Sequence, residues 1–261
     1  MLYQAFKKTF DSAFDLFVPE KWQIRLAMHV LNRINGDDDY DPTTNGEYWI
    51  LGEIKKRFPG PDLVIFDVGA NVGAWTRAAA KGLPAGARVF SFEPTEATHK
   101  KLKENVAAAG ASGAVRLVKG ALSDKDGTGE MFIDGEFCGT NSVYKQGYQE
   151  KWRDVNAEKK VETIPLMRGD SFCEREKIDR IHFLKIDAEA HEVNILHGFE
   201  HMLDAKKIDY LQEAWAYLEG KGYTMARFRG NSLYYPPAYK TYFEKFETCN
   251  YFALKPGAEK L

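Results

Sequence analysis

Cysteine, excess charge and long apolar runs are all scarce in this chain of 261 residues, and each scarcity excludes a class of protein. The three cysteines, Cys138, Cys173 and Cys249, lie far apart and form no CxxC pair, which argues against a zinc knuckle or a disulfide framework and predicts a cytoplasmic protein. Lysine and arginine (36) nearly balance aspartate and glutamate (38), so the chain has no basic field to hold nucleic acid. No run reaches the ~20 apolar residues of a transmembrane segment.

The N-terminal region carries an aromatic periodicity and lacks the apolar core of a signal peptide. Four phenylalanines recur at intervals of one helical turn: Phe6, Phe10, Phe14 and Phe17. With the polar break at 37–42, this predicts a helical extension over residues 1–44 and a main domain over residues 45–261. We interpret the striped face as packing on its own domain. A lid over a pocket, a contact in a homo-oligomer and an interfacial membrane anchor are the alternatives.

From residue 62 onward, buried-strand patterns alternate with helical patterns. The first half predicts strands at 63–69, 88–94 and 114–120, with helices at 74–82 and 95–109. Strands at 129–134 and 160–166 flank a polar stretch, GTNS (139–142). The second half predicts strands at 181–187, 208–212, 223–228 and 248–254, with helices at 191–204 and 213–221. This alternation predicts a doubly wound α/β sheet.

The most informative segment is DVGANVG (67–73), which leaves the first strand and enters the first helix. Glycines at such a turn let the backbone approach a ligand and adopt positive φ. Glu93 follows Gly73 by twenty residues, at the end of the second strand, where a carboxylate can accept hydrogen bonds from two ribose hydroxyls. The segment therefore predicts a nucleoside site.

The spacing of the glycines decides which nucleoside fits best. A dinucleotide fold prefers GxGxxG against a pyrophosphate, whereas Gly69 and Gly73 are spaced GxxxG and are preceded by Asp67. A carboxylate there repels a pyrophosphate and attracts the ammonium of an amino acid. S-adenosylmethionine carries that ammonium, a ribose and no phosphate, so it is favoured over NAD.

Candidate bases lie in KIDAEAHE (185–192), directly after the fourth strand of the alternating pattern. Ligands of open α/β sheets sit at the carboxyl ends of strands. An alcohol that accepts a methyl group must lose a proton, which requires a general base. Asp187 and His191 are the first candidates and Glu189 the third, although Glu189 and His191 could equally belong to a helix N-terminus. Too few acids follow to complete a metal site, so no metal is predicted.

Several segments together resemble the FkbM family of methyltransferases. They are FDVGANVG (66–73), FSFEP (90–94), GALSDKDG (120–127), LKIDAEAHE (184–192) and FETCNYFAL (246–254). The resemblance implies a Rossmann-like sheet of seven strands, the last antiparallel, and S-adenosylmethionine-dependent O-methylation of a sugar, a glycan or a small natural product. Carried over by position, it implies cofactor contacts at Glu47, Asp67, Gly69, Ala70, Asn71, Gly73, Glu93, Pro94, Ala121, Leu122, Ser123 and Asp187. Acceptor contacts are expected at Asn141, Ser142 and Glu189.

Two departures from the family pattern bear on activity. The usual KIDVEGxE reads KIDAEAHE, and if that glycine has positive φ, Ala190 strains the turn by about 1 kcal/mol. The chain also passes directly from Gln212 to Glu213, where members have some twenty further residues. The preferred prediction is a soluble O-methyltransferase. A nucleotide-dependent oxidoreductase and a cofactor-binding relic without turnover are the rivals.

Overall fold

The computed structural model describes residues 18–35, 41–135, 137–139, 141–144, 160–212, 215–228, 230–236 and 251–261. The phenylalanine stripe, Cys249 and Glu213 lie outside the described residues. The helices are α1 (Glu20–Asn35), α2 (Glu47–Arg57), α3 (Ala74–Ala80), α4 (Glu96–Ala108), α5 (Gly169–Arg175), α6 (Glu192–Gly198), α7 (Glu200–Asp204) and α8 (Trp215–Gly220). The strands are β1 (Val64–Val68), β2 (Arg88–Phe92), β3 (Val115–Val118), β4 (Ala121–Ser123), β5 (Gly127–Ile133), β6 (Lys160–Arg168), β7 (Ile181–Ile186), β8 (Ile208–Gln212), β9 (Thr224–Phe228), β10 (Leu233–Tyr234) and β11 (Tyr251–Leu254).

The main sheet confirms the predicted doubly wound α/β fold. Its strand order is β10-β9-β11-β8-β7-β1-β2-β3. β1 pairs in parallel with β2 and β7, and β11 pairs antiparallel with β8 and β9, as the last strand was predicted to do. Within the described residues the sheet has eight strands and not the predicted seven, because β10 adds a two-residue edge strand that is too short to show a periodicity.

A second sheet of order β4-β6-β5 lies beside the main one. β4 pairs in parallel with β6, and β5 pairs antiparallel with β6. The sequence predicts strands in the β5 and β6 regions, but it predicts neither β4 as a separate strand nor this pairing. Cys138, Asn141 and Val143, which follow β5, lie near the carboxyl ends of β1, β2 and β7.

Both faces of the main sheet are covered, as the continuous apolar runs predict. On one face Phe66 contacts four other aromatic rings: Phe90, Phe92, Phe172 and Phe199. On the other face Phe183 lies between Trp75 and Phe252. A ligand therefore has access to the ends of the strands and not to their faces.

The helix predicted over 191–204 is interrupted at Phe199. The ring of Phe199 is fully buried against the backbone of Gly169. A Cβ atom added at Gly169 would collide with this ring. The chain turns there from α6 into α7. α5, which begins at Gly169, was not predicted, because seven residues are too few to show a helical period.

Candidate active site

The loop between β1 and α3 passes through three left-handed backbone positions, Gly69 (φ 81°), Asn71 (φ 48°) and Gly73 (φ 84°). The backbone N–H groups of Gly69 and Ala70 both donate to the carbonyl oxygen of Phe92, at 3.1 and 2.9 Å, and tie the loop to β2. A Cβ atom at Gly69 would collide with the backbone carbonyl of Asp187. Glycine is therefore required for both conformation and space.

Glu93 lies at the end of β2 with its carboxylate turned toward this loop. Its Oε2 atom accepts the backbone N–H of Asn71 at 3.2 Å, and its Oε1 atom accepts the N–H and the hydroxyl of Thr95 at 3.1 and 2.7 Å. Burial raises the pKa of Glu93 in spite of these bonds. Because each carboxylate oxygen has two lone pairs, the group can also accept hydrogen bonds from a ligand.

A cavity that is open to solvent lies at the carboxyl ends of β1, β2 and β7, and it is lined on one side by Cys138, Gly139, Asn141 and Val143. The empty space in it, including the part open to solvent, is about 790 Å³. Ten of the residues predicted for the site line it: Gly69, Asn71, Glu93, Pro94, Ala121, Leu122, Asn141, Asp187, Glu189 and His191. The structure thus brings the predicted cofactor, base and acceptor residues into one cavity.

Six of the predicted residues are not part of the cavity wall: Glu47, Asp67, Ala70, Gly73, Ser123 and Ser142. Ala70 and Gly73 shape the loop described above. Glu47 begins α2, and its Oε1 atom lies 3.4 Å from the side-chain amide nitrogen of Asn45. Ser142 donates its hydroxyl to the carbonyl oxygen of Glu189 at 3.0 Å, and so joins the segment above the cavity to the turn below it.

Asp67 is fully buried beneath the cavity. Its Oδ2 atom accepts the hydroxyl of Thr76 at 2.6 Å, and its Oδ1 atom lies 3.8 Å from the Nζ atom of Lys185. Burial raises the pKa of Asp67, whereas the Lys185 charge opposes that shift. The carboxylate therefore faces a protein ammonium, so direct contact with the ammonium of a cofactor stays a prediction.

Lys185 is a buried cation that the sequence analysis did not single out. Its Nζ atom lies 3.1 Å from Oδ2 of Asp187. Burial disfavours its charge, but the carboxylates of Asp187, Asp67 and Glu47 outweigh this effect and raise the pKa of Lys185. The signal was present in the sequence, because a lysine inside the apolar run IHFLKI needs an anionic partner nearby.

His191 stands at the centre of a hydrogen-bonded chain. Its Nε2 atom lies 3.0 Å from the hydroxyl oxygen of Ser123, which donates to Oδ1 of Asp124 at 2.9 Å. Its Nδ1 atom lies 3.4 Å from the hydroxyl of Tyr144, which donates to Oδ1 of Asn194 at 3.1 Å. Burial lowers the pKa of His191 and favours the neutral ring. Ser123, predicted as a cofactor contact, has its side chain turned to this histidine.

The turn that carries Glu189 and Ala190 has two successive positive φ angles, 48° and 74°. Ala190 therefore has the positive φ on which its expected strain depends. Burial, together with the negative charges of Asp187, Glu192 and Asp134, raises the pKa of Glu189 to about 7. The carboxyl group of Glu189 thus changes charge near neutral pH.

Sequence reasoning missed several residues of the cavity wall, among them Thr98, Met131 and Cys138. They belong to no motif, and they reach the cavity only through the packing of α4, β5 and the segment after it. Among the described residues, no three histidine, cysteine or acidic side chains are grouped closely enough to hold a metal ion. The described helices are also too short or too polar to cross a bilayer.

Similar proteins are known from sequence and from structure. Hexuronic acid methyltransferase AglP of Haloferax volcanii is 29% identical over 144 residues, which are 55% of this chain and 53% of that protein. The chain thus spans about half the length of this curated relative. The crystal structure of methyltransferase FkbM from Methylobacillus flagellatus has a TM-score of 0.46 at 14% identity, covering 74% of this chain and 44% of that one.

An O-methyltransferase from Bacillus cereus, crystallised in complex with SAH, has a TM-score of 0.39 at 14% identity, covering 94% of this chain and 96% of that one. The sequence model of the methyltransferase FkbM domain matches residues 67–231, from the carboxylate beneath the cavity to the region beyond β9. That range includes the glycine loop, Glu93 and the whole turn from Asp187 to His191. By this match over more than half of its length, the chain belongs to the FkbM methyltransferase domain family.

Proposed function

We propose that this protein transfers a methyl group from S-adenosylmethionine to a hydroxyl group of a sugar, a glycan or a small natural product. The observation that carries the proposal is that Glu93 and the glycine loop share one cavity with His191. The first two suit a nucleoside, and the histidine suits the removal of a proton from an alcohol. The similarity to a hexuronic acid methyltransferase supports a sugar acceptor.

The residues present fit the cofactor in three respects. Three carboxyl groups line the cavity, Glu93, Asp187 and Glu189, and in their ionised form they attract a sulfonium and an ammonium group but repel a pyrophosphate. The Oδ1 atom of Asn71 is buried at the cavity without a hydrogen-bond partner among the described residues, so it can accept a bond from a ligand. Left-handed glycines keep the loop free of side chains where the ligand would approach.

When bound, S-adenosylmethionine supplies an electrophilic methyl group. We propose that His191 is the general base that takes the proton from the acceptor hydroxyl. Each ring nitrogen of His191 faces a hydroxyl that donates elsewhere, Ser123 at Nε2 and Tyr144 at Nδ1. We assign the ring proton to Nε2, because that contact is the shorter of the two, 3.0 Å against 3.4 Å, and this leaves a lone pair on Nδ1. Ser123 and Asp124 then act as positioning residues. Asp187 is already engaged by the ammonium of Lys185, so we assign it to the cofactor side.

The acceptor side of the cavity is formed by Asn141 and Glu189, next to Cys138 and Val143. The side chain of Asn141 accepts the N–H of Asp134 at 2.8 Å and donates to the carbonyl oxygen of Gly135 at 3.2 Å, so it holds the shape of this segment. Glu189 exchanges protons near neutral pH and can donate or accept a hydrogen bond. We propose that Glu189 binds a hydroxyl of the acceptor next to the one that is methylated.

Calorimetry with S-adenosylhomocysteine and with NADH tests the cofactor. At a hundred-fold excess over the dissociation constant we expect S-adenosylhomocysteine to raise the melting temperature by about 5 °C and NADH to leave it unchanged. Transfer of labelled methyl groups to a panel of neutral sugars, sugar acids and glycosides then tests the reaction. Stabilisation by NADH alone would overturn the proposal in favour of an oxidoreductase. Cofactor binding without transfer to any acceptor would indicate a binding relic.

A further inference from the structure

α1 exposes large apolar side chains that the methyl-transfer site does not use. Trp22, Leu26 and Val30 are 53%, 51% and 45% exposed, and Ile24 is 56% exposed. Because Trp22, Leu26 and Val30 recur every four residues, they form one apolar row along the helix. These four are half of the large apolar side chains that are exposed in the described part of the chain, so exposed apolar surface is concentrated on α1.

A row of basic residues, two of them charged at neutral pH, runs beside the apolar row. Lys21, Arg25 and His29 also recur every four residues and are all exposed. The guanidinium carbon of Arg25 lies 5.2 Å from the centre of the Trp22 ring, so the two rows meet along one edge of the helix. The sequence of α1 contains a single acidic residue, Glu20. The helix therefore presents apolar and positively charged surfaces side by side.

We infer that α1 binds the surface of a membrane that contains anionic lipids, and lies in the interface with Leu26 and Val30 in the acyl region. Such a surface offers both complements of the helix, hydrocarbon for the apolar row and phosphate charge for Lys21 and Arg25. Trp22 lies where the two rows meet, a position that suits the level of the lipid headgroups. In a second copy of the chain the partner helix would bring a like-charged row, which disfavours pairing of α1 with itself.

This attachment requires no membrane-spanning segment. A helix in the interface buries only its apolar face and keeps its cations in the headgroup layer. It would hold the protein next to acceptors that are themselves attached to a membrane. The inference does not depend on methyl transfer and can fail or hold separately from it.

Flotation of the full chain with vesicles tests the inference. We expect the protein to float with vesicles of equal parts phosphatidylcholine and phosphatidylglycerol, to do so less in high salt, and to remain free with phosphatidylcholine alone. Leu26→Gln combined with Val30→Gln should lower partitioning about ten-fold. Arg25→Gln should lower it about five-fold on anionic vesicles. Val161→Gln, at an exposed position of β6, is the matched control and should bind as the unaltered chain does.

Circular dichroism and the affinity for S-adenosylhomocysteine should be the same for all variants, because the altered side chains lie outside the cavity wall. A chain that stays free of anionic vesicles overturns the inference, and so does a Leu26/Val30 variant that floats as well as the unaltered chain. Light scattering gives the remaining outcome. The unaltered chain could be a dimer that does not bind vesicles, with the Leu26/Val30 variant a monomer. In that case the apolar row of α1 binds a second copy of the chain and not a membrane.

Discussion

The ammonium group of Lys185 lies 3.8 Å from the Oδ1 atom of Asp67, and both side chains are buried. The two residues are paired directly across the parallel strands β1 and β7, so the register of the sheet places the charges side by side. Asp187 lies 3.1 Å from the same ammonium at the end of β7. One buried cation thus links the carboxylate beneath the cavity to a carboxylate on its wall.

Removal of this cation should destabilise the fold more than removal of one of its anionic partners. Lys185→Met leaves Asp67 buried without a countercharge, and we expect a loss of about 3–5 kcal/mol in the free energy of unfolding. Asp67→Asn leaves Lys185 paired with Asp187 and should cost about 1–2 kcal/mol. Urea unfolding of both variants and of the double variant gives the coupling between the two sites. Equal losses for the two single variants would contradict a charge-based role for this pair.

The sequence was sufficient for the order of the elements, because strands buried on both faces read as continuous apolar runs. LVIFDVG, RVFSFEP and IHFLKID each became a strand within two residues of the predicted bounds. What it could not provide was the pairing between distant segments. In the second sheet β4 pairs with β6, about forty residues further along the chain. The sequence of neither strand indicates which strand it pairs with.

The candidate site also has a part that the sequence predicts and a part that it does not. Gly69, Glu93 and His191 were predictable because each follows a strand, and the carboxyl ends of parallel strands meet at one edge of the sheet. The contacts of His191 could not be predicted, because its partners come from distant parts of the chain. Ser123 belongs to β4, and Tyr144 follows β5. The burial of Asp67 was likewise hidden, because a carboxylate inside a strand gives no sign of whether it faces a ligand or a lysine.

Gly69→Ala should damage the site through space as well as conformation. Gly82 provides the matched control, because it has a similar φ, 69° against 81°, and no atom within 4 Å of an added Cβ. We expect Gly82→Ala to cost about 1 kcal/mol of stability. Gly69→Ala should cost at least about twice as much and should also weaken binding of S-adenosylhomocysteine, because the loop must move away from Asp187. Urea unfolding and calorimetry measure the two effects, and equal costs at the two glycines would exclude a steric role for the Asp187 carbonyl.

Ser123→Ala should lower turnover without loss of cofactor binding. The variant frees the Nε2 side of His191, so the ring can place its proton on either nitrogen and the fraction with a lone pair on Nδ1 falls. We expect kcat to fall about ten-fold, compared with about a hundred-fold or more for His191→Ala. The acid limb of the kcat/KM profile should shift for Ser123→Ala, because the serine is in contact with the titrating ring.

The control for this prediction is Ser171→Ala, which removes a hydroxyl that donates to Asp126 at 2.8 Å outside the cavity. It should leave both kcat and the pH profile unchanged. A Ser123→Ala enzyme with an unaltered profile would show that the serine has a purely structural role.

The charge of Glu189 should make the stability of the fold depend on pH. Burial raises its pKa to about 7 from an ordinary value of 4.5. The folded chain therefore binds this proton more tightly than the unfolded chain does, so the contribution to stability is complete below pH 4.5 and is lost as the pH rises through 7. At a pH above 8, Glu189→Gln should be more stable than the unaltered protein by about 1 kcal/mol, a value reduced because the side chain is partly exposed. Below pH 4.5 the two proteins should be equally stable. The exposed Glu219→Gln should show no such difference between urea unfolding at the two pH values.

Ala190→Gly should stabilise the turn beside the cavity. Ala190 has a φ of 74°, where a Cβ atom costs about 1–2 kcal/mol and a glycine costs nothing sterically. The greater freedom of glycine in the unfolded chain offsets about half of that gain. A net rise of about 1 kcal/mol in the free energy of unfolding is expected, or about 2–3 °C in melting temperature. Ala107→Gly, on the exposed side of α4, should instead lose about 1 kcal/mol, because there the alanine is helical. Losses at both positions would mean that Ala190 does not store strain.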